Sequence, residues 1–327
     1  MTITPISIPN QQTHFGQGFP LALECQTRIA LDQARAWIAE HRQELLNKSS
    51  EHGAILFRGF PLASAEDLDS FIAAFELPNF PYEESLSNAV RINKTPRVFT
   101  ANEAPPTVTI FLHHEMAQTP IHPSRLFFFC EKPAESGGAT PICRSDVLWE
   151  RLAQKHPAFA RDCQTKGLKY SNVMPPANDA NSGMGRSWQS TLRTQSTEAA
   201  QVRLADLGYS YEWLPDGSLR ATTPVLPAVR KLSNGRTSFF NQLIAAAMGW
   251  KDTRNDPSKS ITFGDGSPLD REAVLFATQL GEELSFDIPW QSGDVALVDN
   301  YVTMHGRRSF SGARKVLASL VAADSGN

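Results

Sequence analysis

The chain has little cysteine, and none of it is paired. Cys25, Cys130, Cys143 and Cys163 lie far apart with no Cys-x-x-Cys step, which argues against a zinc ribbon or a disulfide framework and suits reduced, buried thiols in a cytoplasmic protein. It also lacks an apolar run approaching the roughly 20 residues that span a bilayer. Residues 1–20 are polar and proline-bearing without an apolar signal core, so neither secretion nor a membrane is expected. Positive charge is not in excess: 31 Lys and Arg face 34 Asp and Glu, for a net charge of −3, which leaves no basic footprint for nucleic acid. Internal repeats and low-complexity tracts are missing too. A hydrophobic fraction of 41% and a charged fraction of 20% are those of a globular protein, and all-β folds of this length often form a single domain.

What is present is a chain of short strands punctuated by glycine and proline, with helices at the front. Residues 28–48 repeat Ala34, Trp37, Ile38, His41 and Leu45 at helical spacing. Residues 53–60 read as a buried strand, and Ser64 as the cap of a second helix carrying Leu68, Phe71, Ile72 and Phe75. Residues 97–103 form a candidate strand. The continuous apolar run 124–130 predicts a strand covered on both faces. Ser145 opens another helix, and 171–195 read as an irregular segment of the kind used for lids and binding loops. A helix near 197–207, a hairpin about Pro215-Asp216-Gly217, a strand at 238–242, a loop over 251–267, a helix over 270–285 and strands at 294–299 and 315–320 complete the reading. The pattern predicts a mainly β fold with added helices, a double-stranded β-helix or jelly roll. One domain is expected over 1–327, with 1–80 as an N-terminal elaboration and 171–290 as an insert with lid-like loops.

The chemistry concentrates at Leu112-His113-His114-Glu115-Met116. On a strand, residues two apart share a face, so His113 and Glu115 would converge on one point and His114 would face away. With His305 they would make a set of two histidines and one carboxylate, the pattern of non-haem Fe(II) oxygenases. The same three ligands with a bound water also make a catalytic zinc site, so a zinc-dependent hydrolase is one alternative and a non-catalytic jelly-roll binding protein is another. A closed structural zinc site would want a fourth protein ligand, and none is evident. His122 is expected to be structural or exposed, while His14, His41, His52 and His156 show no partner pattern.

Further motifs narrow the choice: Gly137-Gly138-Ala139-Thr140-Pro141-Ile142, Gly293-Asp294-Val295 with Asp299-Asn300, and His305-Gly306-Arg307-Arg308 followed by Arg314. With His113-His114-Glu115-Met116, in this order and spacing, the chain from about residue 50 onward resembles the taurine dioxygenase and clavaminate synthase-like family of Fe(II)/2-oxoglutarate oxygenases. Phe99-Thr100-Ala101-Asn102-Glu103 and Gly264-Asp265-Gly266 bring it nearest to the clavaminate synthase-like members. The resemblance implies that His113, Glu115 and His305 hold iron. It also implies that Arg314 binds the far carboxylate of 2-oxoglutarate, with the Thr140 hydroxyl sharing it. A planar guanidinium suits that contact better than an ammonium does. Lys315, Arg307 and Arg308 are rivals to Arg314, the two arginines with a solvated role as an equal alternative. Ala139 stands where the family often has an acidic residue. Fe(II), 2-oxoglutarate and O2 are thus the implied cofactor and co-substrates, with succinate and CO2 released as a small molecule is oxidised, most simply by hydroxylation. Asn102, Trp188, Gln189 and Asn241 are candidate substrate contacts.

Overall fold

The computed structural model describes residues 1–324 apart from Glu83, Glu84, Asn88, Asn102 and Thr253. Its organising strand is His122–Lys132, where the apolar run alternates between two cores. Phe127 and Phe129 enter one with Ile55, Phe57 and Leu297, against Ala34, Ile38, Leu68 and Phe71 from two helices. Leu126, Phe128 and Cys130 enter the other with Val298, Val316 and Leu320, against Ile142 and Phe286 of a second sheet. A strand buried on both faces therefore needs no polar alternation, and each large side chain so buried contributes about 1.5–3 kcal/mol.

The larger sheet has seven strands in the order Ile3–Ile6, Leu21–Cys25, Ala54–Arg58, Val295–Asp299, His122–Lys132, Lys315–Asp324 and Phe99–Thr100. Leu21–Cys25 and Ala54–Arg58 run parallel, which demands a crossover, and the helix Leu31–His52 supplies it. Residues before 80 thus build three strands of the main sheet. Its partner has four strands in the order Phe286–Asp287, Pro141–Arg144, Thr303–Arg307 and Ile110–His113. On that sheet's outer face, Leu112, Cys143 and Met304 pack on helices that include Ser145–Lys155, Leu243–Gly249 and Arg271–Glu283. Two facing sheets flanked by helices on both sides form the expected jelly roll. All four cysteines are buried free thiols. Among the described residues, no helix is long and apolar enough to cross a membrane.

Several local expectations change. The candidate strand 97–103 is limited to Phe99–Thr100 at the sheet edge, and 238–242 to Thr237–Ser238. Residues 171–195 are less irregular than their composition suggests. Leu168–Met174 is a strand of a third sheet, and Trp188–Leu192 is a short helix capped by Ser187. Within the predicted loop 251–267 lie the helix Pro257–Ser260 and the strand Ile261–Phe263. A helix at Pro157–Lys166 was not expected. Proline fits its first position because no intrahelical N–H is needed there.

Candidate active site

His113 ends one strand of the smaller sheet, and His305 sits directly opposite on the next. Directly paired residues share a face, and the two rings lie 4.4 Å apart between centroids. The register shifts just after His305, where Gly306 passes so close to the facing strand that a Cβ would stand 2.5 Å from the Ile110 carbonyl oxygen. Glu115 arrives by a different route from the one expected. The strand stops at His113, and Glu115 lies in a turn, followed by Met116 with φ of 57°. Asn300 pins that turn: its side-chain oxygen accepts from the Glu115 N–H at 2.8 Å, and its amide donates to the Glu115 carbonyl at 3.0 Å and the Pro123 carbonyl at 2.7 Å. His114 faces away as expected, hydrogen-bonded to the Asn300 carbonyl and the Ser145 hydroxyl.

The three side chains present ligand atoms within 4.8 Å of one another. Their charge states suit a divalent metal. Burial, then the neighbouring His305, pushes His113 down to about 4, so it is neutral near pH 7. Its Nδ1 donates to the Phe111 carbonyl at 2.8 Å, leaving Nε2 with a free lone pair. Burial alone would raise Glu115, but Arg91 and His305 outweigh it and hold the carboxyl well below its usual range. Glu115 Oε2 lies 3.4 Å from His305 Nε2. The neutral His113 nitrogen, the anionic Glu115 oxygen and the adjacent His305 ring could therefore hold Fe(II).

A small cavity of about 50 Å³ leads from His113 and His305 to Thr140 and Arg314. Arg314 donates through Nε to the Gly138 carbonyl at 2.7 Å and through Nη2 to the Thr140 hydroxyl at 3.3 Å. Trp290 donates to the same hydroxyl at 3.0 Å, so the Thr140 proton is left to give to an incoming acceptor. Burial, then Arg307, pulls Arg314 down to about 10. Among the described residues Arg314 has no carboxylate partner, and a buried guanidinium in that condition is a ready anion site. Gly138 has φ of 69°, and a Cβ there would come within 3.0 Å of Arg314 Cδ and 2.8 Å of Ala134 Cβ. Gly138→Ala should therefore displace Arg314 and weaken 2-oxoglutarate binding measurably more than metal binding, as titrations of the two ligands would report.

The rivals of Arg314 are engaged elsewhere. Arg307 is not solvated but buried, donating to the carbonyls of Ala104, Pro105 and Val108. Arg308 pairs with Glu282 and Asp287, and Lys315 with Glu131. A larger cavity of about 410 Å³ opens onto His113 and Glu115, lined by Arg91, Gln118, Met184, Gln242 and Trp250 among others. Three proposed substrate contacts are not in its wall. Trp188 is in a satellite core, stacked edge-on against Trp213 and hydrogen-bonded to the Gly217 carbonyl. Asn241 is fully buried, and its amide ties Ala228 to the start of the helix Leu243–Gly249. Gln189 is half-buried beside Trp188 in the same helix. Asn102 lies outside the described residues. Arg91 and Gln242 were missed: an arginine in a proline-broken segment carries no motif, and Gln242 is only one position from the residue chosen. His122 is buried against Phe240 and Tyr301.

Residues 15–320 match the family described as taurine catabolism dioxygenase TauD, TfdA family. The chain belongs to this family. As a TauD/TfdA member it is a non-haem iron- and 2-oxoglutarate-dependent dioxygenase, with O2 as co-substrate. It is 40% identical over 320 residues to a clavaminate synthase-like protein of Arabidopsis thaliana, covering 96% of each chain. A dapdiamide synthesis protein of Enterobacter agglomerans is 27% identical over 290 residues, covering 83% of each. Among solved structures, the PvcB protein of Pseudomonas aeruginosa superposes with a TM-score of 0.56 at 15% identity, over 98% of this chain and 90% of that one. That likeness concerns the fold. This TauD/TfdA chain thus has the sheet pair in which His113, His305, Thr140 and Arg314 are brought together.

Proposed function

We propose that this dioxygenase binds Fe(II) through His113, Glu115 and His305, anchors 2-oxoglutarate through Arg314 and Thr140, and oxidises a small molecule, most simply by hydroxylation, with release of succinate and CO2. The observation that carries the reading is spatial. His113, His305 and Arg314, which has no carboxylate partner among the described residues, open onto one small cavity, and His113 and Glu115 border a second, larger one. When bound, iron and 2-oxoglutarate supply the oxidising power, one atom of O2 ending in succinate and the other in the product.

The protein's part is positioning. The Phe111 carbonyl keeps the His113 proton on Nδ1, so Nε2 stays a ligand. Asn300 holds the backbone on which Glu115 turns inward. Arg314 and the Thr140 hydroxyl receive the carboxylate remote from the metal, one with charge and the other with a hydrogen bond. Phe128, 5.1 Å from the His305 ring, closes the apolar side of the small cavity and limits water. A small organic substrate fits the larger cavity, adjoining His113 and Glu115. The test is succinate formation from 2-oxoglutarate, with and without Fe(II) and O2. Release that needs all three supports the reading, and release that persists without iron would defeat it.

A further inference from the structure

Arg91 stands in the wall of both cavities that reach the triad, the small one and the large one, and also borders a third, outer pocket. Its side chain is only 8% exposed. Nη2 lies 3.2 Å from each oxygen of Glu115, while Nε, on the same edge of the guanidinium, is buried with no partner. The rings of Tyr82 and Phe99, 5.0 Å apart from each other, pack on it at 4.8 and 5.3 Å. It is thus a preorganised fork with half of its bidentate edge unused.

Metal loading changes its circumstances. Iron(II), the Glu115 carboxylate, dianionic 2-oxoglutarate and the Arg314 guanidinium together carry no net charge. Arg91 is then a buried cation whose counter-ion has been committed to the metal, a state that is costly until an anion arrives. The other acids in the cavity wall do not relieve it, because Asp179 and Asp252 are both held by Arg254. Lys251 in the same wall adds positive charge.

We propose that Arg91 is a specificity-determining residue: once iron has taken Glu115, it binds a carboxylate on the organic substrate, which is therefore a small carboxylic acid with its body in the larger cavity. This rests on the iron and 2-oxoglutarate assignments above. It also predicts an order, since Arg91 is released for substrate only after the metal binds.

The experiment uses protein loaded with Mn(II), which occupies the site without turnover, and 2-oxoglutarate. Binding of both is recorded first, and its failure would defeat the functional reading itself and this inference with it. A panel of short aliphatic and aryl carboxylates is then titrated beside the primary amides of the same skeletons, with calorimetric or tryptophan-fluorescence detection. A desolvated charge pair predicts at least one carboxylate bound about thirtyfold or more tighter than its amide. The preference should vanish in Arg91→Gln, survive in part in Arg91→Lys, and be absent from metal-free protein. If Mn(II) and 2-oxoglutarate bind but no carboxylate outdoes its amide, the inference is overturned, and this result needs no variant. A preference that persists in Arg91→Gln overturns it equally. So does an Arg91→Gln protein that loses metal affinity and keeps the preference, which would make Arg91 a positioning residue for Glu115.

Discussion

Glu115→Gln should lose Fe(II) binding by orders of magnitude and, separately, destabilise the metal-free protein. The first effect follows because the anionic member of the triad is gone and an amide oxygen is a poor substitute for a carboxylate on a divalent ion. The second follows from Arg91, whose charged partner in the metal-free state is that carboxylate, with side-chain exposures of 8% and 3% for the pair. Breaking a buried ion pair by removing one partner costs about 3–5 kcal/mol, and glutamine, which keeps an acceptor, should fall near the lower end. Denaturant unfolding of metal-free protein would read this directly. The double variant Arg91→Gln/Glu115→Gln should recover most of the lost stability without recovering metal binding, since no unpaired buried charge remains. Metal supplies a third readout: at a hundred times its dissociation constant, Fe(II) should stabilise the parent by about 2.7 kcal/mol and the variant hardly at all. A variant as stable as the parent would mean that the pair carries no energy, and one that still binds Fe(II) tightly would remove Glu115 from the ligand set.

The fold was legible wherever burial produced a period. The run Leu126-Phe127-Phe128-Phe129-Cys130 announced a two-faced strand, and two cores do receive its alternate side chains. The Ser64 cap and the stripe Leu68, Phe71, Ile72 were equally clear, and Ser64 accepts from the Asp67 N–H at 3.1 Å. What failed was structure stabilised from a distance. The strand Leu168–Met174 has polar Lys169, Ser171 and Asn172 between its apolar residues, and it exists because two other strands pair with it. The strand expected over 238–242 ends at Ser238, because Phe239 and Asn241 are held by a helix core and a helix start. Neither condition leaves a local mark in sequence.

The site shows the same division. Ligand chemistry and resemblance predict the grouping of His113, Glu115 and His305, and the three side chains do converge, although Glu115 reaches the others by a route that strand alternation does not give. A strand alternation was assumed, and a turn tied to Asn300 does the work. Arg91 escaped because its meaning is relational: nothing near Val90-Arg91-Ile92 indicates that its side chain reaches Glu115 or packs on two adjacent aromatic rings. Trp188 and Asn241 were over-read because polar and aromatic residues near glycine-rich segments resemble pocket linings, whereas both are spent on internal hydrogen bonds.

Arg314→Ala should raise the 2-oxoglutarate requirement steeply while leaving metal affinity near that of the parent. Arg314 lies just before the strand Lys315–Asp324 and lines the small cavity, held by the Gly138 carbonyl and the Thr140 hydroxyl, and it contacts none of the triad through a hydrogen bond or ion pair among the described residues. Among the described residues its guanidinium has no carboxylate partner, so its removal deletes attraction for the ligand without orphaning an acid. Losing a desolvated charged partner costs on the order of 2–5 kcal/mol, equivalent to tens- to thousands-fold in affinity. Thr140→Val should cost less, about 0.5–1.5 kcal/mol for one hydrogen bond, and it would also leave the Trp290 N–H without its acceptor. Arg307→Ala is the discriminating control. That residue satisfies three backbone carbonyls, so its loss should lower stability through the loop 104–108 and disturb 2-oxoglutarate only indirectly. If titration with 2-oxoglutarate instead shows the steep loss in Arg307→Ala and little change in Arg314→Ala, the co-substrate's far carboxylate sits nearer the Ala104–Val108 loop, and the assignment of Arg314 falls.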